Sequence, residues 1–260
     1  MPAHPRAAND AARMPLHAHL RELRRRLFRI ALGLLVGMIA GWLLYKPVFE
    51  ALIRPLKRVA AGRDGIVAIN FSGVAASFDM QVQVSLFLAV LLTSPWWIYQ
   101  VWAFVTPGLT RRERRYAVGF LACAVPLFLA GALVAWWALP RAVALLTSFT
   151  PAGAENLIDA SAYLSFVMRL VLAFGIAALL PVVMVALDLV GVVRARTWLR
   201  AWRWAVVLIF TFAAVATPTP DAVSMLFVAI PMCGLYFAAV WICVVHDRRV
   251  ERRRAQEVAA

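Results

Sequence analysis

Six apolar stretches, at about residues 27–45, 80–105, 116–139, 162–187, 202–216 and 222–245, divide the charged residues of this chain into short clusters. Most of these runs reach or approach the roughly 20 residues that a helix needs to cross a hydrocarbon layer about 30 Å thick. In lipid every backbone polar group must be satisfied within the segment, so a chain patterned this way folds as packed helices. The composition agrees: of 260 residues, 63% are hydrophobic and 15% charged, against about 25% charged in a soluble domain. The expected fold is an all-α integral membrane protein, a curved bundle of six transmembrane helices. The fifth stretch is the marginal one, because Trp204 to Ala216 supplies thirteen residues without a charge, a length usual for a buried or re-entrant segment.

Charge placement favours counting it as a span. Twenty of the 27 Lys and Arg fall in four clusters, before the first stretch, at 111–115, at 194–203 and at 248–254. With six spans all four lie on one side. The opposite side holds Lys46, Arg54, Lys57, Arg58, Arg63 and Arg141, and Arg169 alone falls within a span. By the positive-inside rule both termini are then cytoplasmic. Five spans would put the 248–254 arginines outside. The net charge of +14 therefore calls for anionic phospholipid headgroups as partners and no nucleic acid. This divides the chain into a disordered cytoplasmic tail (1–18), a six-span domain (19–245) and a basic cytoplasmic tail (246–260). The first stretch follows an arginine-rich segment without an A-x-A cleavage pattern, so it reads as an anchor rather than a removable signal.

Two long outer loops, at roughly 46–79 and 140–161, contrast with shorter inner ones. The first contains PVFEALIRPL, whose apolar spacing predicts a short amphipathic helix lying along the surface. Pro95, Pro126, Pro181 and Pro231 lie inside or near the ends of spans, where each frees a carbonyl that a neighbour must satisfy. Arg169, about seven residues inside the fourth stretch, either snorkels outward or pairs with an acid such as Asp159 or Asp79.

Several chemistries lack their residues. No GxxxxGK[ST] loop is present to cradle nucleotide phosphates. Cys123, Cys233 and Cys243 show no CxxC spacing, so neither a disulfide framework nor a zinc site is indicated. His4, His17, His19 and His246 fall in the tails, with no acid–histidine pair inside a span. The expectation is a binding and assembly protein, not an enzyme, with no cofactor and no metal.

Three stretches carry a more specific message: HLRELRRRLF at 19–28, SPWWIYQVWAFVTPGLTRRERR at 94–115 and DASAYLSFVMRLVLAFGIAALLP at 159–181. With TPTPD at 217–221 and AIPMCGLY at 229–236, they resemble the TatC family, the large subunit of the twin-arginine protein translocase, over about residues 17 to 245. The resemblance implies six spans with short final helices and a receptor for twin-arginine signal peptides. It further implies assembly as an oligomer with the small single-span partners TatA and TatB, to export folded proteins on the proton-motive force. It assigns Glu22, Arg24, Gln100, Phe104 and Glu113 to signal-peptide binding, and Pro55, Thr217 and Asp221 to structural or partner contacts.

The residue types suit those roles. Two consecutive guanidiniums need two acceptors, and a carboxylate takes a guanidinium in a bidentate fork that Lys cannot reproduce. Other readings stand beside them. Glu22 lies four residues before Arg26 and can form an intrahelical pair, and any of its four arginine neighbours can hold Glu113. Phe104, Trp102 and Tyr99 also suit an interfacial aromatic belt, with Gln100 and Thr106 as polar neighbours. In TPTPD, Thr219 reads as an N-cap, Pro220 as the first helical position and Asp221 as an acid favoured by the helix dipole. The chain departs from the family pattern at Leu179, Met225 and Phe237, where relatives commonly carry polar groups, which implies an altered partner interface. Two alternatives remain at this stage: a small-solute secondary transporter, and a scaffold of the same fold that has lost transport.

Overall fold

The computed structural model describes residues 16–61, 69–70, 75–105, 111–148, 158–189, 193, 195–216 and 222–259. In chain order these form α1 (Leu16–Leu43), α2 (Tyr45–Ala61), β1 (Ile69–Asn70), α3 (Ala76–Leu92), α4 (Ser94–Val105), α5 (Arg111–Ser148), β2 (Ile158–Asp159), α6 (Ala160–Leu189), α7 (Ala195–Arg200), α8 (Trp202–Ala216) and α9 (Ala222–Ala259). Helices α1, α5, α6 and α9 are each long and apolar enough to cross a membrane. The pair α3 and α4 supplies a fifth crossing as one bent span, and the 15-residue α8 is the short sixth. At 1.5 Å per residue α8 is about 22 Å long, so it spans only where the bilayer thins or flanking residues snorkel.

The second apolar stretch is interrupted at its proline, Pro95, as the sequence leads one to expect. It is bent by 62° between α3 and α4. Pro95 has no N–H to donate and restricts the residue before it, so α3 cannot run on. The carbonyls at its end are satisfied locally: Thr93 N and Thr93 Oγ1 both donate to Ala89 O, at 2.9 and 2.7 Å, and Trp97 Nε1 donates to Val90 O at 2.9 Å. Such side-chain donors replace the water that a helix end would otherwise require.

Helix α6 forms the centre. Leu164, Val167, Val171, Phe174 and Ala177 are buried on it against α5, α9 and α3. Contact with α5 is backbone-close: a Cβ on Gly131 would stand 2.5 Å from Phe174 O and 2.7 Å from Ala178 Cβ. Small residues at such seams let helices pack where the hydrophobic effect gives no help. A second cluster joins α4, α5 and α6 through Ile98, Phe128 and Val182, with Trp97 edge-on to Phe128 at 5.3 Å.

The amphipathic helix predicted in the first outer loop is present as α2, but its apolar face meets protein. Leu52, Ile53 and Leu56 are buried in the main core beside the buried Pro55, and Tyr163 Oη donates to Leu52 O at 3.2 Å. The two outer loops also meet through the parallel pairing of Ile69 with Ile158 and Asn70 with Asp159. Asp159 then caps α6, accepting from Ala162 N at 2.9 Å. Asp79 accepts from Gln83 Nε2 at 2.7 Å, while Arg169 is exposed at the lip of a groove between α3 and α6 that Gln83 and Ser165 also line. Helix α9 continues through residues 246–259 without a break.

Candidate signal-peptide site

The basic end of the bundle carries the start of α1, the ends of α4 and α6, the start of α5, and α7. There α1 and α4 run antiparallel, and their partners step in opposite directions along the two helices. His19 stacks on Phe104 with ring centroids 4.4 Å apart. Arg26 Nη1 donates to Gln100 Oε1 at 3.4 Å, a long bond, and Trp96 Nε1 donates to Arg29 O at 3.0 Å. One turn further, Gly33 lies against Trp96, where a Cβ would stand 2.5 Å from the ring. This register follows from the sequence: HLRELRRRLFRIALG places His19, Glu22, Arg26, Arg29 and Gly33 at spacings of three or four, hence on one face. WWIYQVWAF does the same for Trp96, Gln100 and Phe104.

Glu22 sits on this face. Its Oε1 receives Arg26 Nη2 at 2.6 Å, and the two side chains are 27% and 15% exposed. The intrahelical pair allowed by the spacing therefore forms, at an edge where protein shields it on one side. Gln100 is 2% exposed, so its amide is committed to the interior and anchors the guanidinium of Arg26. Burying Gln100 unpaired would cost about 1–3 kcal/mol, which makes Arg26 its natural partner. Arg26 Nε is also buried, with no hydrogen-bond partner among the described residues. The result is a short polar chain, Glu22 to Arg26 to Gln100, across the α1–α4 seam.

Of the other residues expected here, Phe104 is half-buried, Arg24 is exposed on α1, and Tyr99 is exposed on α4. Glu113 lies in the first turn of α5, but its side chain falls outside the described residues, as do Thr106 and the segment 217–221 with Thr217, Thr219, Pro220 and Asp221. Six peptide units separate Val105 from Arg111, so the start of α5 stands no more than about 22 Å from the end of α4. Pro55 is remote from this face, buried in α2.

The sequence reading missed Arg26 as the bridge and Trp96 as the clamp on α1, although the three- and four-residue spacings were available to suggest both. It also placed His246 in a tail without an acid partner. In the structure His246 Nδ1 lies 3.2 Å from Asp188 Oδ2. The correction is topological: the two residues are 58 apart in sequence, and the packing of α9 on α6 brings them together.

Comparison with known proteins shows the family to which this fold belongs. The family model described as "Sec-independent protein translocase protein (TatC)" matches residues 18–231. The chain belongs to the TatC family. A TatC of Xylanimonas cellulosilytica is 58% identical over 247 residues, covering 95% of this chain and 90% of the relative. That of Rothia mucilaginosa is 35% identical, covering 96% and 86%. A crystal structure described as the twin arginine translocase receptor TatC in DDM superposes with a TM-score of 0.76 at 31% identity, covering 86% of this chain and 99% of that one. The chain is thus a protein-translocase component and a multi-pass protein of the bacterial inner membrane. At the positions where the resemblance implied polar groups in relatives, Leu179 is half-buried in the α4–α5–α6 cluster, Met225 packs against the main core, and Phe237 is exposed on α9.

Proposed function

We propose that this chain is the receptor for twin-arginine signal peptides and the core of the translocase that exports folded proteins on the proton-motive force, without covalent chemistry of its own. The observation that carries this reading is the sheltered carboxylate of Glu22, held beside Gln100 and Phe104 at the basic end, which faces the cytoplasm. A surface i,i+4 ion pair is worth about 0.3–0.5 kcal/mol, whereas a charge-assisted bond in a sheltered site is worth about 1.5–3 kcal/mol. An incoming guanidinium, docking in a bidentate fork, displaces Arg26 from Glu22 and leaves Arg26 on Gln100. Glu113 accepts the second arginine. Phe104 packs against the apolar residues that follow the pair. Arg24, two positions from Glu22, projects from another side of α1 and meets a different part of the ligand.

Pro55 fixes α2 at the outer face. Thr217 and Asp221, which precede α9 in the chain, serve as structural or partner contacts. TatA and TatB are the small single-span partners, and the working complex is an oligomer seated in anionic phospholipid. Photocrosslinking of a twin-arginine precursor to inverted membrane vesicles tests the receptor role, with the same precursor carrying Lys-Lys as the comparison. The twin-arginine form should crosslink strongly and the Lys-Lys form weakly. Equal crosslinking of the two would overturn the proposal.

A further inference from the structure

Asp188, the penultimate residue of α6, has a side chain only 1% exposed. Its Oδ2 faces His246 Nδ1, and its Oδ1 is buried with no hydrogen-bond partner among the described residues. Asp247 is the next residue of α9, and its Oδ2 accepts from Ala195 N, the first residue of α7, at 3.2 Å. One ligand atom from each of Asp188, His246 and Asp247 lies within 4.8 Å of the other two. Two helices, α6 and α9, therefore bring two carboxylates and an imidazole together, and the most deeply buried of these groups has an oxygen without a hydrogen-bond partner among the described residues.

An orphaned carboxylate oxygen is costly away from water, and a second acid beside it adds repulsion. A cation relieves both. We propose that Asp188, His246 and Asp247 bind a divalent transition cation of the zinc type. The donor set suits that class: mixed imidazole and carboxylate ligands fit zinc, whereas calcium and magnesium prefer oxygen alone and cuprous copper prefers sulfur. In a tetrahedral zinc site, bonds of about 2.0–2.2 Å set the ligand atoms roughly 3.4 Å apart. The Asp188–His246 separation of 3.2 Å already fits, so a shift of about an ångström at Asp247 completes the triad. The hydrogen bond from Ala195 to Asp247 orients that ligand from outside, as supporting partners do at metal sites. The bound ion ties the end of α6 to α9, and through the Ala195–Asp247 hydrogen bond to the start of α7, at the same end of the bundle as the signal-peptide face.

The test titrates the purified full-length protein in detergent with Zn2+ at pH 7.5, by calorimetry and by thermal unfolding. One Zn2+ should bind per chain and raise the unfolding temperature, since a ligand specific to the folded state stabilises it. His246→Gln should weaken binding at least tenfold, and so should Asp247→Asn. Both positions are partly exposed, so each variant should elute in gel filtration like the parent. A His17→Gln/His19→Gln double variant should bind like wild type, which separates the triad from the amino-terminal histidines. Absence of saturable Zn2+ binding would overturn the site. So would unchanged affinity in both His246→Gln and Asp247→Asn, or Mg2+ binding as tightly as Zn2+, because the imidazole would then not be a ligand.

Discussion

Helices α1 and α6 are both long and apolar, yet they are buried to very different extents. In the most apolar window of α1, 11% of residues are buried, against 61% for α6. Helix α6 is fixed by packing on several sides and by backbone contact with α5. Helix α1 packs closely on α3 in its second half, where a Cβ on Gly41 would stand 2.5 Å from Ser85 O, but toward the basic end its hold on α4 comes from a ring stack, two hydrogen bonds and one glycine contact. The difference separates frame from receptor surface. A packed interior tolerates little rearrangement, whereas an edge held by a few polar contacts can exchange one of them for a ligand.

The largest expected effect comes from filling the α5–α6 seam. Gly131→Val places side-chain atoms against the backbone of Phe174, which cannot step aside. Overpacking of this kind costs about 1–3 kcal/mol or more, so most of the protein should be lost from the monodisperse peak in gel filtration and become sensitive to trypsin. Gly33→Ala meets the Trp96 ring instead, and a ring can turn. That variant should remain monodisperse, with only the α1–α4 seam loosened. Equal losses from the two substitutions would break the distinction between frame and edge.

Glu22→Gln should act on binding with little effect on folding. Removing one charge-assisted acceptor costs about 1.5–3 kcal/mol in a sheltered site, so affinity for a twin-arginine precursor should fall about tenfold or more. The Gln side chain can still accept from Arg26 as a neutral amide, so the folded chain should lose less, about 1 kcal/mol. Glu113→Gln should behave alike, and Glu113→Asp should weaken recognition less. These values come from titrating labelled precursor onto vesicles, with a thermal unfolding curve recorded beside them. A Glu22→Gln protein that binds precursor like wild type would reduce Glu22 to a surface ion pair.

The sequence made the helical class and the six crossings legible, because apolar runs and arginine clusters act locally. Pro95 was noticed, but the 62° turn beside it depends on where Trp97 and Thr93 find acceptors, which no run of apolar residues reveals. The amphipathic pattern of α2 shows a helix lying along the surface but not that its apolar face meets the protein core, since periodicity marks an apolar face without saying what covers it. At the site, Glu22 and its spacing to Arg26 were visible, while the depth of Gln100 was not: a glutamine in an apolar stretch looks the same whether it faces lipid, water or the interior. Asp188 and His246 carried no signal at all. Their meeting is a consequence of α9 crossing α6, and residues so far apart in the chain disclose such contacts only once the helices are placed.

The smallest expected effect tests the edge most directly. Trp96→Phe keeps an aromatic ring against Gly33 and removes only the indole N–H that donates to Arg29 O. A neutral hydrogen bond contributes about 0.5–1.5 kcal/mol net, too little to disturb the α5–α6 frame. Because this bond clamps α1 two turns from Glu22, its loss should let the start of α1 open more often. Amides of residues 19–29 should then exchange with deuterium several-fold faster, while those of 164–178 in α6 keep the wild-type rate. Precursor affinity should change by no more than about twofold, since every group proposed to touch the ligand is retained. Faster exchange in α6 as well would mean that α1 and α6 open as one cooperative unit, and the edge would then be part of the frame.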